Sequence, residues 1–185
     1  YILEKNLYAK PLPFDKAYAL SDMKARLKPE RFAHTQRVAE ESARIAEQYG
    51  LDREKCYIGG LLHDCAKGIT EKQLHWLAPE LIPLCDETRG GSPAIVHGPA
   101  GAVIANKKYG IMDKEILDAV RFHVTGAPGM GPVAQAVFIA DYAEPGRTGE
   151  AFDRVRAALN KSLTDAVIQC CDESIGFIVR KGQVI

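Results

Sequence analysis

Apolar residues recur at every third or fourth position along most of the chain, which is the spacing of one helix face. In the segment PERFAHTQRVAEESARIAEQYG this spacing places His34, Val38 and Ile45 on one stripe. Pro29 and Gly50 are typical residues for the start and the end of a helix. The same criteria predict helices over 13–27, 29–50, 52–67, 69–78, 97–110, 113–126, 132–146 and, as a pair, 150–180. The chain is therefore expected to be all-α, although its last ten residues, GFIVRKGQVI, also fit a strand.

Two segments in the middle of the chain have special features. DREKCYIGGLLHDCAK is apolar nearly all round, which predicts a central buried helix. Gly59 and Gly60 inside it each cost about 1 kcal/mol relative to alanine, so we expect close backbone packing there. Residues 79–96 contain three prolines and two glycines and are expected to be irregular. The following helix is expected to open at His97, with Pro99 in its first turn.

Composition and charge narrow the class of function. Hydrophobic residues make up 46% and charged residues 26% of the 185 positions, as in ordinary soluble domains. The 24 basic and 24 acidic side chains cancel, so a nucleic acid polymer is not an expected partner. Apolar stretches are shorter than a membrane span, and five cysteines without C-x-x-C spacing argue against disulfides and a cysteine zinc site. A cytoplasmic protein without membrane association is therefore expected.

Several histidines and aspartates are predicted to point from separate helices towards one region. Taken singly, a histidine on an apolar face usually bonds a carbonyl, and an aspartate near a helix end is usually a cap. Together they would need many independent partners in a small core, whereas one divalent cation satisfies several, and these donor types suit Fe, Mn, Co, Ni or Zn. His75, beside Trp76, is outside this set and is expected to be structural or partly exposed. The candidate metal ligands are His34, His63, Asp64, His97, His123 and Asp141.

Basic residues flank these candidate ligands in the sequence. Lys67 follows His63 by four residues and is predicted to project from the same helix face. Arg37, Arg121 and Arg147 each lie within six residues of a candidate ligand. Any one of them is adequately explained as a solvated surface charge. As a group beside a metal site, they predict a substrate that carries phosphate.

The ordered set His34, His63-Asp64, Asp141 resembles the H…HD…D signature of the HD-domain superfamily of metal-dependent phosphohydrolases. The chain also resembles the bacterial YqeK family, whose members are symmetrical bis(5'-nucleosyl)-tetraphosphatases. The blocks that carry this resemblance are FAHTQRVAEESARIAEQYG, GGLLHDCAKG, VHGPAGAVIA, AVRFHVTGAPGM and VFIADYAEPGR. The resemblance runs from about residue 24 to the end, so 24–185 is expected to be the HD-type domain and 1–23 an N-terminal extension, helical in part.

The resemblance implies a single HD-domain helical bundle with the metal site in its core. It implies that His34, His63, Asp64 and Asp141 hold the catalytic cation, expected to be iron. His97 and His123 would serve a second cation or the substrate phosphates, so one or two ions are expected per chain. The residues assigned to catalysis are His63, Asp64 and Lys67. The residues assigned to substrate are Arg37, Asp64, Lys67, His97, Arg121, His123, Asp141 and Arg147.

The expected reaction is hydrolysis of diadenosine tetraphosphate at the central anhydride by metal-activated water, giving two ADP. A 5'-nucleotidase or cyclic-nucleotide phosphodiesterase on the same metal core is an alternative, and a nucleotide-sensing module without turnover is another. The expected partner is a small dinucleoside polyphosphate or nucleotide, and a homodimer is compatible with the sequence. Ala143 and Gly146 depart from the family pattern, in which a bulkier apolar residue and an asparagine are expected.

Overall fold

The computed structural model describes residues 13–68, 70–79, 81 and 93–182. These residues form helices and no strand, which confirms the all-α prediction. The last helix runs to Arg180, so the described part of GFIVRKGQVI is not a strand. In chain order the described helices are α1 (Lys16–Arg26), α2 (Pro29–Tyr49), α3 (Arg53–Leu62), α4 (Glu71–Leu77), α5 (Pro93–Lys107), α6 (Lys114–Phe122), α7 (Pro132–Ala143), α8 (Glu150–Leu159) and α9 (Leu163–Arg180).

The α2–α3 pair contributes to both of the two apolar clusters that form the core. The first cluster joins α1, α3, α5 and α6 and buries Leu61, Ile104 and Val120. The second joins α2 to α7, α8 and α9 and buries Val137 and Leu159. Burial of these apolar side chains is the main favourable contribution to folding. The central pair therefore fixes the two halves of the molecule against each other.

Glycines determine how closely the central helices approach. A Cβ atom at Gly60 would lie 2.7 Å from Ser42 Oγ and 2.9 Å from Ala39 Cα. A Cβ atom at Gly98 would lie 2.6 Å from the carbonyl oxygen of Arg121. Neither position accepts a side chain unless the neighbouring helix moves. The predicted close packing at Gly60 is thus confirmed, and α5 and α6 approach each other in the same way.

The central buried helix is shorter than predicted. Helix α3 ends at Leu62, and residues 63–68 form turns in which Lys67 N donates to Asp64 O at 2.9 Å. The left-handed φ of +77° at Gly68 completes this change of direction. His63, Asp64 and Lys67 therefore do not share a helix face, and the predicted spacing argument for Lys67 is wrong.

Helix α5 begins earlier than predicted. It starts at Pro93, so His97 and Pro99 lie inside the helix rather than in its opening turn. Pro99 removes the hydrogen bond to the carbonyl of residue 95, and Ile95 is half exposed, so water can donate to that carbonyl instead. Most of the segment predicted to be irregular, residues 82–92, lies outside the described residues, as do residues 1–12 of the predicted N-terminal extension.

Two further predictions concern membranes and cysteines. Within the described ranges, no helix has both the length and the apolarity to cross a membrane. The described cysteines, Cys56, Cys65, Cys170 and Cys171, are free thiols, whereas Cys85 lies outside the described residues.

Candidate metal centre

Four imidazole rings form a row in the interior of the molecule. His34 comes from α2, His63 from the turn after α3, His123 from the end of α6 and His97 from α5. Ring centroids are 5.3 Å apart for His34 and His63, 5.0 Å for His63 and His123, and 4.9 Å for His123 and His97. The close approach of α2 to α3 and of α5 to α6 is what places these rings side by side.

Two of the four rings have their tautomer determined by the hydrogen bond at Nδ1. His63 Nδ1 donates to the carbonyl oxygen of Gly60 at 2.7 Å, and His123 Nδ1 donates to that of Val120 at 2.7 Å. His34 Nδ1 lies 3.1 Å from the carboxylate of Glu144. Since a carbonyl oxygen only accepts, the proton of a neutral His63 or His123 ring is on Nδ1 and the lone pair is on Nε2. His34 faces a carboxylate at each nitrogen, Glu144 at Nδ1 and Asp141 at Nε2, so its ring donates to one of them when neutral and to both when charged.

The Nε2 atoms of His34 and His63 face carboxylate oxygens. His34 Nε2 lies 3.0 Å from Asp141 Oδ1, and His63 Nε2 lies 3.5 Å from Asp64 Oδ2 and 3.8 Å from Asp141 Oδ1. His63 is fully buried, and its Nε2 has no hydrogen-bond partner in the described part of the chain. A cluster of acceptors with an orphaned buried nitrogen is costly unless a cation lies among them.

The donor atoms form two overlapping groups that fit a divalent metal. One group consists of His34, His63 and Asp141, and the other of His63, Asp64 and His123. Within each group the ligand atoms lie within 4.8 Å of one another. Imidazole nitrogen and carboxylate oxygen are suitable ligands for Fe, Mn, Co, Ni and Zn. The residues present therefore fit a bound metal ion.

Both aspartates are held in the charged form that a cation requires. Burial alone would raise the pKa of Asp64, but His63 and His123 lower it well below its usual range. Burial would likewise raise the pKa of Asp141, but its hydrogen bond with His34 and the nearby His63 lower it. At neutral pH the centre therefore presents two ionised carboxylates.

His97 lies beside this donor set and outside both groups. Its Nε2 is 3.0 Å from His123 Nε2 and 3.4 Å from Asp64 Oδ1. Its Nδ1 is 3.2 Å from Lys67 Nζ, and burial lowers the pKa of that amine. With Lys67 as donor to Nδ1, a neutral His97 ring carries its proton on Nε2 and donates towards His123. Lys67 thus lies in the turn after α3, and its amine contacts the centre at His97.

Two charged residues at the centre escaped the sequence analysis. Glu144 is 1% exposed and accepts hydrogen bonds from His34 and from Arg37 Nε, the latter at 2.7 Å. Arg31 Nη1 donates to Asp64 Oδ2 at 3.0 Å. Carboxylates that orient ligating histidines in this way are a recurrent feature of metal sites. Glu144 follows Asp141 by three residues at the end of α7, and that helical spacing is the one signal that could have revealed it.

Of the three arginines predicted to bind substrate, Arg37 and Arg147 lie at the centre and Arg121 lies away from it. Arg37 pairs with Glu144, and Arg147 Nη2 lies 3.6 Å from Asp141 Oδ1. Arg121 is exposed on α6 and has no ion pair with any residue that the structure describes. A cavity of about 380 Å³ beside His34 is lined by two carboxylates, Glu30 and Glu144, and by four cations, namely Lys28, Arg31, Arg37 and Arg147. We call it the basic cavity.

The structure also locates Ala143 and Gly146, which depart from the family pattern, and His75, which was not predicted to be a ligand. A Cβ atom at Gly146 would lie 2.5 Å from Arg37 Nε, so glycine leaves room for the Arg37–Glu144 pair. Ala143 is buried at the end of α7. His75 is exposed on α4, in agreement with its exclusion from the candidate ligands.

Comparisons with known proteins agree with this geometry. The HD-domain family model matches residues 31–146, a range that contains the entire donor set. The symmetrical bis(5'-nucleosyl)-tetraphosphatase of Bacillus subtilis (strain 168) is 33% identical, with 90% of this chain and 89% of the relative covered. The protein of the same name from Halalkalibacterium halodurans is 32% identical, with 92% and 91% covered.

A solved structure extends the likeness to the fold. A Clostridium acetobutylicum protein, described as a "predicted HD superfamily hydrolase involved in NAD metabolism", has a TM-score of 0.85 and 33% identity to this chain. The match covers 94% of this chain and 92% of that one. The chain therefore belongs to the HD-domain superfamily and, within it, to the family of bacterial symmetrical bis(5'-nucleosyl)-tetraphosphatases.

Proposed function

We propose that the protein hydrolyses diadenosine tetraphosphate and related dinucleoside tetraphosphates at the central anhydride, giving two nucleoside diphosphates. The observation that carries this proposal is the convergence of imidazole Nε2 atoms and two ionised carboxylates beside a cavity lined by four cations. Relatives that cover nearly the whole chain are named for this activity, and the family is one of hydrolases.

The metal ligands in this proposal are His34, His63, Asp64, His123 and Asp141. Because the two donor groups share His63, they describe one ion with several ligands or two neighbouring ions. We propose iron as the metal, because the family resemblance implies it; the mixed imidazole and carboxylate set suits iron as it also suits Mn, Co, Ni and Zn. When bound, such a cation acts as a Lewis acid on a phosphoryl oxygen and lowers the pKa of a coordinated water.

Residues around the donor set keep it in position. The Glu144 carboxylate orients the His34 ring, and Arg37 and the backbone N–H of Gly146 hold that carboxylate in turn. Arg31 binds the Asp64 oxygen that faces His63. These contacts fix the rotamers of the ligands before substrate arrives, and such preorganisation lowers the cost of reaching the reactive arrangement.

The distribution of positive charge favours attack at an inner phosphate. Arg147 contacts Asp141 at the His34 end of the imidazole row, and Lys67 contacts His97 at the opposite end. A polyphosphate that is bound at both ends of the row has an inner phosphorus at its middle. Water attacks that phosphorus, the bridging P–O bond breaks, and the bridging oxygen leaves with the second nucleoside diphosphate.

A thiolate nucleophile is incompatible with the environment of the nearest cysteine. Cys65 follows Asp64 in the sequence, but its side chain is fully buried and donates to the carbonyl of Gly101. Burial raises the pKa of Cys65 to about 12. The thiol therefore remains protonated at neutral pH, which supports direct attack by water.

A substrate panel tests the proposed function against its alternatives. Purified protein loaded anaerobically with Fe²⁺, and separately with Mn²⁺, is incubated with diadenosine tetraphosphate, AMP and cyclic AMP. We expect turnover of the dinucleotide at least 100-fold faster than of the other two. Preferred release of phosphate from AMP would assign a 5'-nucleotidase, and opening of cyclic AMP would assign a phosphodiesterase. Metal and nucleotide binding without any turnover would assign a sensor.

A further inference from the structure

A second cavity, of about 210 Å³, begins at the metal centre and extends towards the C-terminal helices. His123 and Asp141 line one end of it, and Tyr142, Phe152 and Ser174 line the other. Phe152 is on α8 and Ser174 is on α9, both beyond residue 146, where the HD-domain match ends. This aromatic cavity is therefore built partly from residues outside the segment that defines the superfamily.

The far end of the aromatic cavity offers ring faces. The Tyr142 and Phe152 rings pack with centroids 5.3 Å apart and planes inclined by 48°. Phe138 also lines this cavity, and both Tyr142 and Phe152 are only partly buried. A neighbouring cavity of about 370 Å³ shares Tyr142, Phe152 and Ser174 with it, so the aromatic pair is accessible from two sides.

The aromatic and basic cavities differ in chemistry and meet at one residue. Arg147 lines both of them. Among the described residues, the basic cavity is lined by no aromatic side chain other than His34, whereas the aromatic cavity is lined by Phe138, Tyr142 and Phe152. A polyphosphate suits the first surface. A flat heteroaromatic base with hydroxyl-bearing sugar suits the second, because bases stack on aromatic side chains and a serine hydroxyl both donates and accepts.

We propose that the aromatic cavity binds the base of one nucleoside diphosphate half of the substrate, with Phe152 as the stacking residue that selects nucleosides over plain phosphates. Ser174 contacts the sugar or the base edge, and Arg147 holds the phosphates between base and metal. This inference rests on the proposed function. It assigns a specificity role to α8 and α9, which the metal centre itself does not use.

Three variants test the stacking role. Phe152→Ala removes the ring, and Phe152→Trp retains a ring face. Tyr18→Ala is the control, because Tyr18 is 49% exposed on α1, which carries none of the cavity residues. We expect Phe152→Ala to raise KM for diadenosine tetraphosphate about tenfold with kcat within twofold, since the base loses its stacking partner while the metal centre is unchanged. Phe152→Trp and Tyr18→Ala should stay within about threefold of the parent protein.

A binding measurement separates this proposal from the proposed function. Calorimetric titration of the metal-loaded proteins with ADP and with pyrophosphate compares a ligand with a base and one without. We expect Phe152→Ala to bind ADP about tenfold more weakly and pyrophosphate as the parent does. Unchanged ADP affinity, or equal losses for both ligands, would overturn the stacking role. If the parent fails to hydrolyse the dinucleotide, the proposed function falls, and the comparison of ADP with pyrophosphate still decides the role of Phe152.

Discussion

His63 is the residue that belongs to both donor groups, and its Nε2 is a buried nitrogen with no hydrogen-bond partner among the residues that the structure describes. The backbone carbonyls of Gly60 and Val120 set the tautomers of His63 and His123, and the Glu144 carboxylate holds the His34 ring in position. Single side chains therefore account for metal affinity in two ways, as ligands and as groups that orient the ligands.

Removal of a central ligand should abolish metal binding and activity together. We expect His63→Ala or Asp64→Ala to lower bound metal below about 10% of the parent and turnover at least 100-fold, because each removes a donor from the buried set. Elemental analysis of protein purified with and without added Fe²⁺ measures the metal. His75→Ala, which changes an exposed histidine, is the matched control and should keep both quantities. A His63→Ala protein with full metal content would exclude His63 as a ligand.

Glu144 provides the corresponding test of ligand orientation. We expect Glu144→Gln to weaken metal affinity about tenfold, since the amide lacks the charge that holds the His34 and Arg37 donors. Competition with a fluorescent chelator measures the affinity. Glu41→Gln is the control, because Glu41 is also a buried carboxylate on an arginine, Arg44, but belongs to neither donor group. Equal affinities of the two variants would mean that Glu144 has no role in orienting His34.

The sequence predicted which side chains converge here better than how they are held. His34, His63, Asp64, His123 and Asp141 are brought together as expected. Helical periodicity directs His34 and Asp141 inward, whereas His63 and Asp64 lie in the turn after α3. The contacts that hold these ligands in place cannot be predicted from helical periodicity alone. Glu144 and His34 are 110 positions apart, and a charged residue at a helix end is normally solvated. Only the tertiary packing of α2 against α7 shows that Glu144 is buried.

At the level of helices, the spacing of apolar residues predicted the type of element correctly, whereas the predicted ends of α3 and α5 differ from the observed ones. The apolar run through Gly59 and Gly60 did indicate a buried, closely packed α3, but it did not reveal that the helix ends at Leu62. The sequence predicts Pro99 in a first turn, because proline favours that position. In the structure Pro99 lies inside α5. The turn that ends in the left-handed Gly68 accounts for the first difference, and the exposure at Ile95 accounts for the second.

Helix α1 is attached to the core by a polar contact that is sensitive to pH. Asp22 accepts hydrogen bonds from Lys108 Nζ at 2.7 Å, from the Tyr109 hydroxyl at 2.5 Å and from Arg26 Nε at 3.0 Å. Burial would raise the pKa of Asp22, but these donors lower it from 3.8 to about 2. A carboxyl with a depressed pKa stabilises the folded state above its unfolded pKa and loses this contribution as the pH falls through the folded value.

Substitution of Asp22 should therefore destabilise the protein in a pH-dependent way. We expect Asp22→Asn to lower the free energy of unfolding by about 2 kcal/mol at pH 7, with the difference shrinking as the pH falls from about 4 towards 2. Urea unfolding of metal-free protein at several pH values measures it. Asp172→Asn, at an exposed position of α9, is the control and should show no such trend. A constant difference down to pH 2 would contradict the ionised role of Asp22.

Across the whole molecule, the metal centre lies between two unlike cavities, one basic and one aromatic, that share Arg147. The all-α class and the ligand pattern could be read from the sequence, because both depend on periodicity and residue type. The two cavities could not, since they combine residues from α2, the segment after α7, α8 and α9. This arrangement places basic groups, Arg147 and Lys67, at the two ends of the imidazole row. We therefore assign cleavage to the middle of a symmetrical substrate.

The position of the broken bond is the most direct test of that assignment. Metal-loaded protein is given diadenosine tetraphosphate, and the products formed during the first tenth of turnover are separated by anion-exchange chromatography. We expect ADP as the sole nucleotide product, because the phosphorus held in line with the attacking water is an inner one. AMP and ATP in equal amounts would mean that an outer phosphate occupies the metal centre, and would contradict the account.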